Sequence, residues 1–157
     1  PSQILPLMTV AQVPEIPALF FLGWVLRRIG FRWVLLIGAS IHLVRFSLLL
    51  FGDGVASASV ALVLHGAAFG FAFVPALMGF DRLCPRRFLS SAYLVFMIVV
   101  AGSSGLSANY IGGLLFDASD GYAGIWAMPW VMALFAFLVL LLVPRFLPDR
   151  TETNETG

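Results

Sequence analysis

Apolar positions along the chain fall into five long, nearly unbroken runs, at roughly 6–26, 33–51, 57–80, 88–114 and 122–143. Each run is close to the roughly 20 residues that an α-helix needs to cross the hydrocarbon core of a bilayer. Strands of an outer-membrane barrel would alternate apolar with polar positions. Continuous runs instead predict helices, which satisfy their own backbone groups in lipid. The fourth run is longer than a span requires, so it is expected to tilt or to extend beyond the membrane. Short polar connections at 27–32, 52–56, 81–87 and 116–121 join the runs, and a polar tail follows at 145–157. The expected fold is therefore all-α and integral to the membrane, with five transmembrane helices in a unit covering 1–144.

Composition agrees with this pattern. Of 157 residues, 61% are apolar and 11% are charged, with a mean hydropathy of +0.99. A soluble domain usually has about a quarter of its residues charged. These values exclude an ordinary soluble enzyme, a nucleic-acid binder and a disordered regulator. The net charge of +1 matters less than where the charges sit. All nine basic residues are arginines, and eight of them lie at 27, 28, 32, 82, 86, 87, 145 and 150. Asp53, Asp117 and Asp120 occupy the connections on the opposite side. This is the positive-inside distribution, and it predicts that the arginine-rich loops and the C-terminus are cytoplasmic. Five spans then put the first residue outside. That parity, with a start at Pro1 inside apolar sequence, leads us to expect a fragment lacking at least one preceding helix. No signal peptide is legible, and the lone Cys84, beside Pro85, reads as a structural thiol.

Polar side chains at membrane depth are costly and usually face a bundle interior or a water-filled cavity. Gln12 and Glu15 stand three apart in the first run, flanked by Pro14 and Pro17, each of which removes a backbone donor. A broken helix carrying an acid points to a transporter binding site. Glu15 lies about 18 Å from the Arg27 boundary along a straight helix. The alternative places Glu15 near a helix end, simply solvated. His42 and Arg45 are likewise three apart in the second run, where Arg45 can snorkel to the outer interface. His65 stands alone in the third run, either as an interhelical hydrogen-bonding group or, with an ordinary pKa near 6.5, as a proton carrier. Asp81 beside Arg82 reads as a loop acid pairing with a nearby arginine. Gly66 and Gly70, and the fourth-span residues Gly102, Ser103, Gly105, Ser107, Gly112 and Gly113, permit close helix packing. Nothing resembles a catalytic cluster, a phosphate-binding glycine loop or a metal-ligand spacing, so neither enzymatic activity nor a cofactor or metal is expected.

The segments Ala-Gln-Val-Pro-Glu-Ile-Pro (Ala11–Pro17) and Leu-Arg-Arg-Ile-Gly-Phe-Arg (Leu26–Arg32) resemble the eighth helix and following loop of the nucleoside:proton symporter family, a branch of the major facilitator superfamily. The resemblance continues through Leu-Val-Arg-Phe (Leu43–Phe46), the turn at Gly52–Asp53 and Leu-His-Gly-x-x-Phe (Leu64–Phe69). It then runs through the glycine-rich fourth span to Gly112–Gly113, covering about residues 8–143 in order. It implies the last five of twelve helices, that is, most of a C-terminal six-helix bundle whose first helix is missing. It also implies that Gln12 and Glu15 contact a nucleoside, and that His65 and Phe69 line the cavity. An amide and a carboxylate suit ribose hydroxyls or base edges, and a phenyl ring can stack on a base. Three positions depart from the family pattern. Gly70 stands where an Asp is usual, and Leu89 and Tyr93 stand where Arg and Gln are common. Without that Asp, proton coupling is expected to rest on Glu15, alone or with His65.

The expected function is thus secondary active transport by alternating access in the bacterial inner membrane. The cargo would be a nucleoside moved with protons, and the missing N-terminal half would complete the site; the partners are a small polar solute, protons and the lipid bilayer, with no nucleic acid. Two alternatives stand beside it. An oligosaccharide or other polar-solute symporter of the same fold would need a tryptophan platform, whereas Trp24, Trp33, Trp126 and Trp130 all sit where a membrane interface is expected. A non-transporting scaffold or sensor derived from such a transporter would be compatible with Gly70.

Overall fold

The computed structural model describes residues 12–119 and 122–142. Among them every element is helical. α1 covers Glu15–Ile29, α2 Phe31–Phe51 and α3 Gly54–Ala68. A π-helical segment, Phe69–Phe73, leads directly into α4, Val74–Leu83. A single 3₁₀ turn, Arg86–Phe88, connects to α5, Leu89–Met97. A second π-helical segment, Ile98–Ser103, continues into α6, Ser104–Ser119, and α7 covers Tyr122–Leu142. Within the described residues the five apolar runs are therefore five helical rods. Three contain stretches long and apolar enough to cross a membrane as they stand: Phe31–Phe51, Gly54–Gly79 and Gly124–Leu142. The upstream part of the first run and the tail at 145–157 lie outside the described residues.

The rods extend further into the polar connections than hydropathy alone indicates. Arg27 and Arg28 form the last turn of α1, where cations are favoured by the negative end of the helix dipole. Gly30 alone then reverses the chain, at φ 86°, a conformation open to glycine and strained for other residues. Arg32 falls in the first turn of α2. Arg28 sits over the Trp24 ring at 5.6 Å and Arg32 over the Trp33 ring at 5.7 Å, grouping arginine and tryptophan at one end of the bundle, as a membrane boundary favours. The second connection is Gly52–Asp53, with Gly54 at φ 83°. Asp81 and Asp117 lie on helices rather than in loops.

α2 is the centre of the packing. It lies against α1, α3 with its π-helical continuation, and α7, and its Val34 is completely buried. At its far end the Trp130 indole of α7 donates a 2.8 Å hydrogen bond to the Ser47 hydroxyl, which itself donates to the Leu43 carbonyl at 2.8 Å. Phe51 meets the same indole edge-on at 5.8 Å. Trp130 is thus turned onto α2, whereas Trp24 and Trp33 remain exposed. Many apolar side chains on the outer faces are exposed, among them Phe20, Leu106 and Phe135. Outward apolar faces suit a lipid surrounding.

The π-helical segment in the third rod has a chemical origin. Pro75 has no N–H to offer the Phe71 carbonyl four residues earlier, and it is fully buried. Here the helix runs in i→i+5 register, with the Val74 N–H on the Phe69 carbonyl. Gly38 of α2 faces the Phe71 carbonyl so closely that a Cβ at position 38 would overlap it and lie 2.7 Å from the Ala72 nitrogen. The backbones of α2 and the third rod touch here, as small residues allow between membrane helices. Gly102, Gly105, Gly112 and Gly113 of the fourth rod instead face open space among the described residues.

Candidate functional site

α1 begins abruptly because of its two prolines. Pro17 cannot donate to the Val13 carbonyl, so the Ile16 N–H takes that acceptor at 3.3 Å, and the Ala18 N–H reaches the Pro14 carbonyl at 3.2 Å. The chain turns at Val13–Pro14, and the regular helix starts at Glu15. The expected break therefore falls between Gln12 and Glu15. Gln12 is exposed before the break, and Glu15 is half-buried in the first turn after it.

His65 occupies the last turn of α3 and is exposed, while Gly66 and Ala68 beside it are buried. Its imidazole is within electrostatic reach of Glu15 on α1 and of Arg45 on α2, and Arg45 and His65 both act on His42. Glu15, His65, Arg45 and His42 thus form one polar cluster spanning three helices. On α2 the cluster is poorly hydrogen-bonded: His42 Nδ1 and Arg45 Nε are buried without a partner. Aromatic contacts replace hydrogen bonds. The His42 ring stacks on Phe46 at 5.9 Å, and the Arg45 guanidinium sits over the same ring at 4.7 Å. Spacing pairs His42 with Arg45; only the packing of α2 on α3 adds His65.

Phe69 opens the π-helical segment, four residues after His65. Its ring stacks on Phe73 at 4.8 Å with 22° between planes, and Phe73 contacts Phe96 of α5 at 5.8 Å. This aromatic chain joins the third and fourth rods. Nearer the α4 end, the Tyr93 hydroxyl donates to Asp81 Oδ1 at 2.9 Å. Asp81, read from the sequence as a loop acid beside arginine, is a helical residue with a tyrosine partner.

Gly70 is buried against α1. A Cβ there would lie 2.9 Å from the Ala18 Cβ and 3.5–3.6 Å from the backbone of Ala18 and Leu19. An aspartate cannot enter without moving α1. Gly70→Asp is expected to destabilise the full-length protein by about 1–3 kcal/mol, as overpacking typically does, and so to lower its thermal unfolding midpoint. Ala18→Gly in the same chain should restore most of that loss; an undiminished midpoint in Gly70→Asp alone would contradict the contact.

A model of the family described as "Nucleoside H+ symporter" matches residues 2–149. The Escherichia coli (strain K12) protein named "Putative nucleoside transporter YegT" is 24% identical over 151 residues, covering 85% of this chain and 36% of that protein. The chain thus spans little more than a third of the length of this relative. No solved structure gives a significant match. With a family match over nearly the whole chain, and five apolar helical rods to carry it, the chain belongs to the nucleoside H+ symporter family, a family of multi-pass membrane transporters and not of enzymes.

Proposed function

We propose that this chain is the C-terminal part of a nucleoside:proton symporter of the bacterial inner membrane, with its C-terminus in the cytoplasm. The observation that carries the reading is the break at the start of α1, which leaves the half-buried Glu15 in the first turn, within electrostatic reach of His65 on α3. Gln12 and Glu15 would bind nucleoside hydroxyl or amide groups, and Phe69 would offer a ring face to the base. Glu15, alone or with His65, would carry the proton. The site is completed by an N-terminal half, which rocks against this bundle to expose it alternately to the two sides.

Labelled uridine uptake by the full-length protein in vesicles tests the reading. Uptake is expected to be competed by other nucleosides but not by oligosaccharides, and to stop concentrating when the proton gradient is collapsed. Competition by sugars alone would transfer the site to the oligosaccharide alternative. One observation favours a non-transporting sensor: the position of the usual family acid is occupied by packing between Gly70 and Ala18. Nucleoside binding without uptake would establish that reading.

A further inference from the structure

A groove of about 340 Å³ runs between α2, α7 and the π-helical segment of the third rod. Its wall on α2 extends from Leu35 to Phe46, and its wall on α7 from Pro129 to Leu140. Each wall covers twelve residues, eleven steps of 1.5 Å, or about 16 Å. That equals the depth of one leaflet, half of the roughly 30 Å hydrocarbon core, and the groove lies across the middle of both helices. The lining is apolar except for His42. A bound water needs two to four polar partners, and a nucleoside needs more, so neither fits. Nor is an empty groove favoured: its lining would forgo dispersion contacts, and its volume is more than twice the roughly 150 Å³ in which a buried apolar cavity accepts benzene.

The two ends of the groove differ. Leu35 and Leu140 line one end with hydrocarbon. At the other, Arg45 holds its guanidinium 4.7 Å from the ring of Phe46, a wall residue, and its Nε is buried without a hydrogen-bond partner. Arg45 is six residues from the end of α2 at Phe51, about 9 Å of helix, within snorkelling distance of the interface. A cation within snorkelling reach of the Phe51-end interface, at the mouth of an apolar slot about as long as one leaflet is deep, suits an anionic amphiphile with a long chain. We infer that the groove between α2 and α7 holds one acyl chain of an anionic phospholipid from the leaflet at the Phe51 end, with its phosphate paired to Arg45.

Native mass spectrometry of the full-length protein, incubated with phosphatidylglycerol or phosphatidylcholine, tests this. One phosphatidylglycerol should be retained per chain, about tenfold more strongly than phosphatidylcholine, the scale of a charge-assisted contact. Arg45→Gln should abolish the preference and Arg45→Lys keep most of it. Ala136→Phe, at an exposed wall position, should reduce retention of both lipids by filling the slot. Glycerophosphoglycerol, which has the headgroup but no chain, should not displace the lipid. Equal retention of the two lipids, or undiminished retention in Ala136→Phe, would overturn the inference. Should Arg45→Gln fail to fold, Ala136→Phe and the chainless competitor still decide it.

Discussion

Replacing Glu15 by Gln in the full-length protein is expected to end concentrative nucleoside uptake. The amide keeps nearly the shape of the carboxylate but can neither carry the charge nor exchange the proton. If Glu15 accepts hydrogen bonds from the cargo, the loss of a charged acceptor costs about 1.5–3 kcal/mol, roughly ten- to a hundredfold in apparent affinity. Two assays separate the roles. Uptake driven by an imposed proton gradient reads coupling and binding together, whereas exchange of labelled for unlabelled nucleoside across the membrane needs no net proton movement. Loss of driven uptake with exchange retained assigns Glu15 to coupling; loss of both assigns it to binding as well. Wild-type driven uptake in Glu15→Gln would remove this residue from the mechanism. His65→Gln is the informative companion. It keeps a hydrogen-bonding group beside Glu15 but removes the titratable ring, so a role for His65 in coupling predicts a changed pH profile of driven uptake.

Gly38→Ala should be among the most destabilising single-methyl changes in this bundle. The added Cβ would meet the main-chain carbonyl of Phe71, with the Ala72 nitrogen 2.7 Å away. Neither atom can turn aside as a flexible side chain could. Overpacking of this kind costs about 1–3 kcal/mol, and separating α2 from the third rod would also disturb the approach of Arg45 to His65. A fall in the thermal unfolding midpoint of the purified protein, larger for Gly38→Leu than for Gly38→Ala, is the expected result. An unchanged midpoint would mean that the two backbones are not in contact.

Much of the fold was legible in the residues because lipid leaves few options. A segment that must satisfy its backbone without water is a helix, so five long apolar runs mean five helical rods. The α1 break was legible as well, since Pro14 and Pro17 remove specific donors. The π-helical turn was not anticipated, although Pro75 is its signal. A proline within an apolar run is as easily read as a mild kink, and only the crowding of Gly38 against Phe71 gives the altered register its consequence. The glycine-rich fourth span shows a limit of a different kind. Small residues permit close packing but do not choose a partner; among the described residues, helix-to-helix contacts of this kind are seen at Gly38 and Gly70.

The candidate site divides along the same line. The sequence by itself determined that Gln12, Glu15, His42, Arg45 and His65 are polar groups within apolar runs, because burial in lipid makes each of them conspicuous. Spacing within one helix also linked Gln12 with Glu15 and His42 with Arg45. The tertiary structure alone brought Glu15 and Arg45 within electrostatic reach of His65, since the approach of helices depends on rotation and depth, which a periodic pattern leaves open. It also decided that Gly70 is filled by Ala18 and that Trp130 is tied to Ser47. An apolar run dictates that a helix will form in lipid; which of its faces meets which neighbour is settled by the fit of side chains at distances of a few ångströms.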